Sequence, residues 1–332
     1  MMYLIIILLV VVFIVLIWLT LMDGSYYVTR SIQLDVSREK TFELISNFNT
    51  WTLWSPWLCL EPDANVTVSK DGKEVGAVYA WTGKMVGSGE IEHKSFIEDI
   101  SLDQEIRFLK PFKSKSDVFW KLSGKGETCE LTWGMKGKMP FLFKFMAKNM
   151  EPWIGMDYER GLKMIKDHLE TGSIASEIEI EGITQLQKGK FIGIKTSCNM
   201  QEIASSMKVV FKELNEFAHT HNLEAEKALA IYHNFDFKNP VCEYSAGLVI
   251  DKVPTLDNGF IIGELTDQKA LKITFTGDYK HLGNAWSAAY MYARNKKLKI
   301  NKKSDPVEFY LNDPSKETDP SKWITEVYLP LK

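Results

Sequence analysis

The carboxylate best placed to do chemistry is Glu326, in the run WITEVYLPL near the C-terminus. In a strand, successive side chains point to opposite faces, so Glu326 and Tyr328 share one face and Thr325, Val327 and Leu329 the other. A carboxylate among Trp, Tyr and Leu is either exposed at a sheet edge or has a partner, because an unpaired buried charge is costly. An organic cation is one such partner, drawn by the charge and by aromatic faces together. Glu308, in PVEFYLN, is expected to be solvated or to cap an element. Trp286 and Tyr290 lie four apart on a helix pattern and serve a core or a pocket equally well.

Other chemistries find little support. Cys59, Cys129, Cys198 and Cys242 are far apart and form no CxxC pair, so neither a zinc site nor a disulfide framework is expected. His219 and His221 face different directions at a helix end and are read as solvated. Gly83-Lys84 and Gly87-Ser88-Gly89 fit neither a phosphate loop nor a dinucleotide fingerprint, and no cofactor or metal is called for. Net charge is -3, so no basic footprint points to nucleic acid. Ten tryptophans are the unusual feature. Trp54, Trp81, Trp120 and Trp133 are candidate liners of an apolar cavity, with plain core packing as the alternative.

The elements that must position these residues follow from periodicity. Tyr3 to Met22 reads YLIIILLVVVFIVLIWLTLM without a charge. Such a length, at about 1.5 Å rise per residue, matches the roughly 30 Å hydrocarbon core. A cleaved signal peptide is the rival, but no Lys or Arg precedes the run and no small-residue cleavage pattern follows it. A single-pass anchor is expected, and Arg30, Arg38 and Lys40 on its C-terminal side put the soluble part in the cytoplasm. Tyr26 to Val36 alternates as a strand, and Ser37 caps a helix beginning at Thr41. Trp51, Trp54 and Trp57, three apart, suit a short helical turn. Val118, Trp120 and Leu122, then Cys129, Leu131, Trp133 and Met135, give period-two strands. Tyr158, Leu162, Ile165 and Leu169 space a long helix over Phe143 to Leu169. A helix laid across a curved sheet leaves a cavity between them.

This order of elements, with RSIQLDVSREKTFELISNFNTWTLWSPW and the closing MIKDHLE, resembles the START-like helix-grip family, also called polyketide cyclase-like or SRPBCC, over about residues 25–171. The resemblance implies a deep cavity for a hydrophobic ligand. Further on, a strand–helix–strand–strand pattern occurs twice, with Tyr232 and Tyr310 at equivalent places, so two half-sheets would pair around a groove. FTGDYKHLGNAWSAAYMY, PVEFYLNDP and WITEVYLPL together resemble the GyrI-like, or AraC effector-binding, family over about residues 186–332. That resemblance implies a groove for flat, cationic or amphipathic molecules, with the glutamate of the final strand, here Glu326, at its centre. Where that family's best-known members carry a helix-turn-helix, this chain has an anchor and a helix-grip domain.

The expectation is an α+β chain: anchor 1–23, helix-grip domain 24–172, polar connector 173–185, and duplicated β-α-β-β domain 186–332. Its function would be to bind a small hydrophobic or amphipathic molecule at a membrane, as a sensor or sequestering protein. Ligand contacts would come from Glu326, Tyr232, Tyr310, Trp286, Tyr290, Trp54, Trp120 and Trp133. The alternative is a hydrolase of reactive small molecules, as some GyrI-like relatives are, with Glu326 and a tyrosine hydroxyl as base and acid.

Overall fold

A computed structural model describes residues 2–236, 239–256 and 259–332. In chain order the elements are α1 (Met2–Leu21), β1 (Ser25–Leu34), α2 (Arg38–Ser46), β2 (Asn65–Val68), β3 (Val78–Thr82), β4 (Ser88–Ile97), β5 (Ser101–Lys110), β6 (Ser114–Ser123), β7 (Cys129–Lys138) and α3 (Ala147–Thr171). They continue with β8 (Ser176–Leu186), β9 (Gly189–Asn199), α4 (Ile203–Thr220), β10 (Ala225–Asp236), β11 (Val241–Ile250), β12 (Ile261–Leu265), β13 (Gln268–Gly277), α5 (Gly283–Asn295), β14 (Val307–Tyr310) and β15 (Ile324–Pro330). Two compact units result, Met1–Ile174 and Ala175–Lys332, each built on its own antiparallel sheet.

Helix α1 is long and apolar enough to cross a membrane, and it is exposed along its length apart from Leu19. The rest of the first unit is a seven-stranded sheet in the order β1-β7-β6-β5-β4-β3-β2, with α3 packed on β1 and β7. Ser37 caps α2 by accepting from the Lys40 amide. Three tryptophans of the first unit interlock. Trp120 stacks on Trp133 at 4.3 Å, Trp133 stacks on Tyr158 at 3.9 Å, and Trp54 meets both indoles edge-on. Trp54, Trp120 and Trp133 are buried in the hydrophobic core of this unit, packed against one another. Trp81 is half-buried against Phe108.

One polar chain crosses this core. The Trp120 indole donates to Gln104, Gln104 meets the His93 ring, and His93 reaches the Ser46 carbonyl at 2.9 Å. His93 is fully buried and stacked on Phe48, and burial pushes its pKa down to about 4. Periodicity gave no hint of this histidine.

The second unit is an eight-stranded sheet in the order β12-β9-β11-β10-β14-β15-β13-β8. The order reads the same from either edge when β9, β10 and β11 are matched to β13, β14 and β15. The stretch 173–185, read as a polar connector of which part pairs as an edge strand, is mostly strand: β8 forms the edge of the sheet and pairs with β13 along its length. Its charges obscured the period-two pattern, in which Ile178 and Ile180 turn inward and Glu177 and Glu179 outward.

Candidate functional site

Helices α4 and α5 each cover a half-core on one face of the second sheet. One gathers Leu214, Ala230, Tyr232 and Tyr244, the other Ile273, Phe275, Ala285, Ala289 and Val327. Trp286 and Tyr310 pack against both, so the seam between the half-cores falls at β10 and β14, the middle strands. Register decides which β14 side chains enter that seam. Glu308 lies opposite Ala230 on one side and Val327 on the other, both on the helix-covered face. Ala230 is small, which leaves room beside it for the glutamate and the indole above.

Glu308 is 1% exposed. One carboxylate oxygen accepts from the hydroxyls of Tyr232 at 2.8 Å and Tyr310 at 2.6 Å, and the other accepts from the Trp286 indole. The surrounding rings complete a cage. Trp286 stands edge-on to Tyr232 at 5.9 Å, and Phe211 and Tyr279 stand edge-on to Tyr310 at 5.6 and 5.4 Å. Burial pushes the Glu308 carboxyl above the usual carboxylate range, while its three donors pull the other way. Burial likewise holds the Tyr232 and Tyr310 hydroxyls well above their ordinary value, and the neighbouring Glu308 charge adds to it. Among the described residues Glu308 forms no ion pair.

Glu326, the residue expected at the centre, lies on the opposite face. It is paired across the sheet with Phe309, beyond the reach of the helices. Lys272 meets it at 2.9 Å and also meets Glu181 at 3.0 Å, while the Tyr328 hydroxyl donates to it. Glu326 is therefore a salt-bridged carboxylate beside the small apolar cluster of Phe191, Leu229, Ile231 and Phe309. The expectation that Glu308 is solvated is overturned for the same reason. Strand alternation assigns residues to two faces but does not say which face the helices cover. Tyr232, Tyr310 and Trp286 do come together as expected. Tyr290 is 48% exposed at the rim, with its ring 6.4 Å from Trp286. Trp54, Trp120 and Trp133 belong to the other unit's core. A signal for Glu308 was present: it stands two residues from Tyr310, so any site holding that hydroxyl also holds this carboxylate.

Among the described residues no group of His, Cys, Asp and Glu could hold a metal ion. All four cysteines are free thiols.

No curated protein matches the chain. Among solved structures it is similar to an EcmrR–DNA complex (12% identity, 58% of this chain and 72% of that one, TM-score 0.42). It is similar also to SAV2435 bound to tetraphenylphosphonium (18% identity, 46% and 94%, TM-score 0.38). A third likeness is to CalU16 from Micromonospora echinospora (12% identity, 44% and 77%, TM-score 0.33). A family profile described as "GyrI-like small molecule binding domain" matches residues 182–332, the segment that contributes every side chain around Glu308. Residues 182–332 are a GyrI-like small-molecule binding domain.

Proposed function

We propose that this domain binds a flat or compact lipophilic cation, with Glu308 as its counter-charge and the rings of Tyr232, Trp286 and Tyr310 as its walls. One observation carries the reading: a fully buried carboxylate is held by three donors and has no basic partner among the described residues. An isolated buried charge is unfavourable, and a cation brought against it recovers Coulombic and cation–π attraction in a medium of low polarity. Three hydrogen-bond donors favour the ionised form and keep the charge ready for such a ligand.

The wider reading is of a single-pass membrane protein with its soluble part in the cytoplasm, sensing or sequestering a lipophilic compound. The length and exposure of α1 support the anchor, and Arg30, Arg38 and Lys40 support the sidedness. The palindromic strand order supports an internal duplication of the second unit, and the long α3 on a seven-stranded sheet supports the helix-grip likeness of the first. Small molecules and the bilayer are the partners in this reading. Nucleic acid is not, given a net charge of -3.

A hydrolytic alternative would use the same three groups, with Glu308 as base and a tyrosine as acid. The raised Tyr232 and Tyr310 hydroxyls are poor proton donors near neutral pH, which favours binding over catalysis.

Thermal unfolding of the full chain in detergent, with tetraphenylphosphonium as the probe cation, tests the proposal. A ligand at a hundred times its Kd stabilises the native state by about 2.7 kcal/mol. A rise in the midpoint that vanishes in Glu308→Gln is expected. An equal rise in that variant would overturn the role of Glu308, and no rise with any organic cation would overturn the binding reading itself.

A further inference from the structure

The end of the first unit next to α1 carries an unusual surface. Register brings several chain segments to it. Ser25, the first residue of β1, lies opposite Lys138, the last of β7. Gly137 lies opposite Ser116 near the start of β6, and Ser114 lies opposite Phe108 near the end of β5. The β5–β6 loop and the helical turn Phe141–Met146 therefore surround the exit of α1. Both present apolar side chains outward: Phe112 is 71% exposed and Leu142 60%, and Phe141 and Phe145 are exposed beside them. The Phe112 and Phe143 rings lie 6.0 Å apart, so loop and turn form one continuous patch.

The anchor's exit is fixed to this patch. Lys144 donates to the Met22 carbonyl at 3.1 Å, the Met139 amide donates to the Gly24 carbonyl at 2.9 Å, and Leu19 is buried. A Cβ on Gly24 would come within 2.7 Å of the Lys144 side chain, so the close approach requires glycine. Lysines ring the patch, with Lys110, Lys113, Lys138 and Lys148 all exposed. Asp23 is the acidic side chain at the exit, facing Lys138 and Lys144.

Aromatic and aliphatic side chains projecting beside a membrane-spanning segment, with lysines around them, match the headgroup–acyl boundary of an anionic bilayer. We propose that the Phe112/Phe141–Phe145 face is seated in such a boundary, so that the first unit rests on the membrane instead of hanging from a free tether. The proposal rests on the reading of α1 as a membrane span.

Site-directed fluorescence on the full chain tests it, in vesicles of mixed phosphatidylcholine and phosphatidylglycerol. An environment-sensitive probe is placed separately at Val12→Cys, Leu142→Cys and Ile97→Cys, with the unsubstituted chain as the labelling blank. All three positions are exposed, and Ile97 lies at the far end of β4, about 30 Å from the patch at 3.3 Å per strand residue. The expected result is shielding from an aqueous quencher at Leu142 close to that at Val12, with Ile97 quenched freely. Introducing Lys113→Glu and Lys138→Glu should reduce the Leu142 shielding on these vesicles and leave Val12 unchanged. Shielding at Val12 with free quenching at Leu142 would overturn the seating and leave the anchor standing; a different occupant would then have to cover the face. Free quenching at Val12 would overturn the anchor and the seating together. Equal shielding at all three positions would overturn a selective seat.

Discussion

In the first unit Trp120, Trp133 and Tyr158 lie ring on ring with Trp54 edge-on, and the Trp54 and Trp133 indole N–H groups and the Tyr158 hydroxyl find no hydrogen-bond partner among the described residues. In the second unit Tyr232, Trp286 and Tyr310 turn their polar ends onto one carboxylate, and every one of those polar groups is paired. The two clusters use the same residue types in opposite ways. The first accepts unpaired polar atoms, at about 1–3 kcal/mol each, in exchange for dense ring contact. The second satisfies every donor and leaves the charge itself uncompensated. Aromatic richness alone therefore does not mark a binding site. The distinguishing feature is what remains unbalanced: a donor in a packed core, or a charge that a ligand can neutralise.

The largest effect that separates the two clusters should come from the packed one. Trp133→Ala removes a fully buried indole from between Trp120 and Tyr158, and large-to-small changes of this kind cost about 3–5 kcal/mol. Denaturant unfolding should show the earlier loss of one transition. The cation-induced rise of the other should persist, and its disappearance would mean that the two clusters are not independent.

Acid should act on the two units with opposite sign, by up to about 3 kcal/mol in the first. His93 has its folded pKa pushed down to about 4, against an unfolded value near 6.5. Between those values the unfolded chain binds the extra proton, so stability present above pH 6.5 is lost as pH falls toward 4. Glu308 has its folded pKa raised above its unfolded value. Between those values the folded chain binds the extra proton, so its contribution is full at acid pH and is lost as pH rises through the folded value. Unfolding of wild-type and Glu308→Gln across pH, followed by a probe in each unit, tests the contrast. Parallel acid sensitivity in both units would break it.

Glu308→Gln itself should weaken an organic cation about 10- to 100-fold, some 1.4–2.7 kcal/mol, while leaving the ligand-free protein no less stable. The amide keeps an acceptor for Trp286, and either tyrosine hydroxyl can turn to accept from its NH2 group. Calorimetric titration of a lipophilic cation into both proteins measures the loss directly.

Much of this was legible from periodicity. Tyr158, Leu162 and Ile165 are buried on α3 as their spacing requires, and Trp51 and Trp54 meet at 5.2 Å across a short helical turn. The equivalence of Tyr232 and Tyr310 was also legible, through the repeated strand–helix pattern, whereas Trp286 suited core and pocket equally. Less local features escaped. His93 sits on an ordinary-looking strand, and only the packing of Phe48 and the Ser46 carbonyl against it makes it a core residue. The glutamates of β8 blurred its extent, so only part of it read as an edge strand. Glu308 and Glu326 each share a strand face with a tyrosine, and each pattern is compatible with a buried site. The difference is long-range: α4 and α5 both fold onto the face of Ala230 and Val327, a choice made by the connections and not by either strand.

The smallest expected effect sharpens that last distinction. Glu326 is a sheet-surface carboxylate whose charge is already met by Lys272, with side-chain exposures of 13% and 17%. Glu326→Gln breaks this pair but leaves Lys272 its second contact, to Glu181, so the cost should be about 1 kcal/mol of stability. The cation affinity should stay unchanged, because the β14–β15 sheet separates Glu326 from the three donors on Glu308. Two glutamates on neighbouring strands then differ in sheet face and in charge balance: Glu326 already has its cation in Lys272, and Glu308 has none among the described residues. A titration in which Glu326→Gln lost the ligand and Glu308→Gln kept it would reverse the faces and place the site on the helix-free side of the sheet.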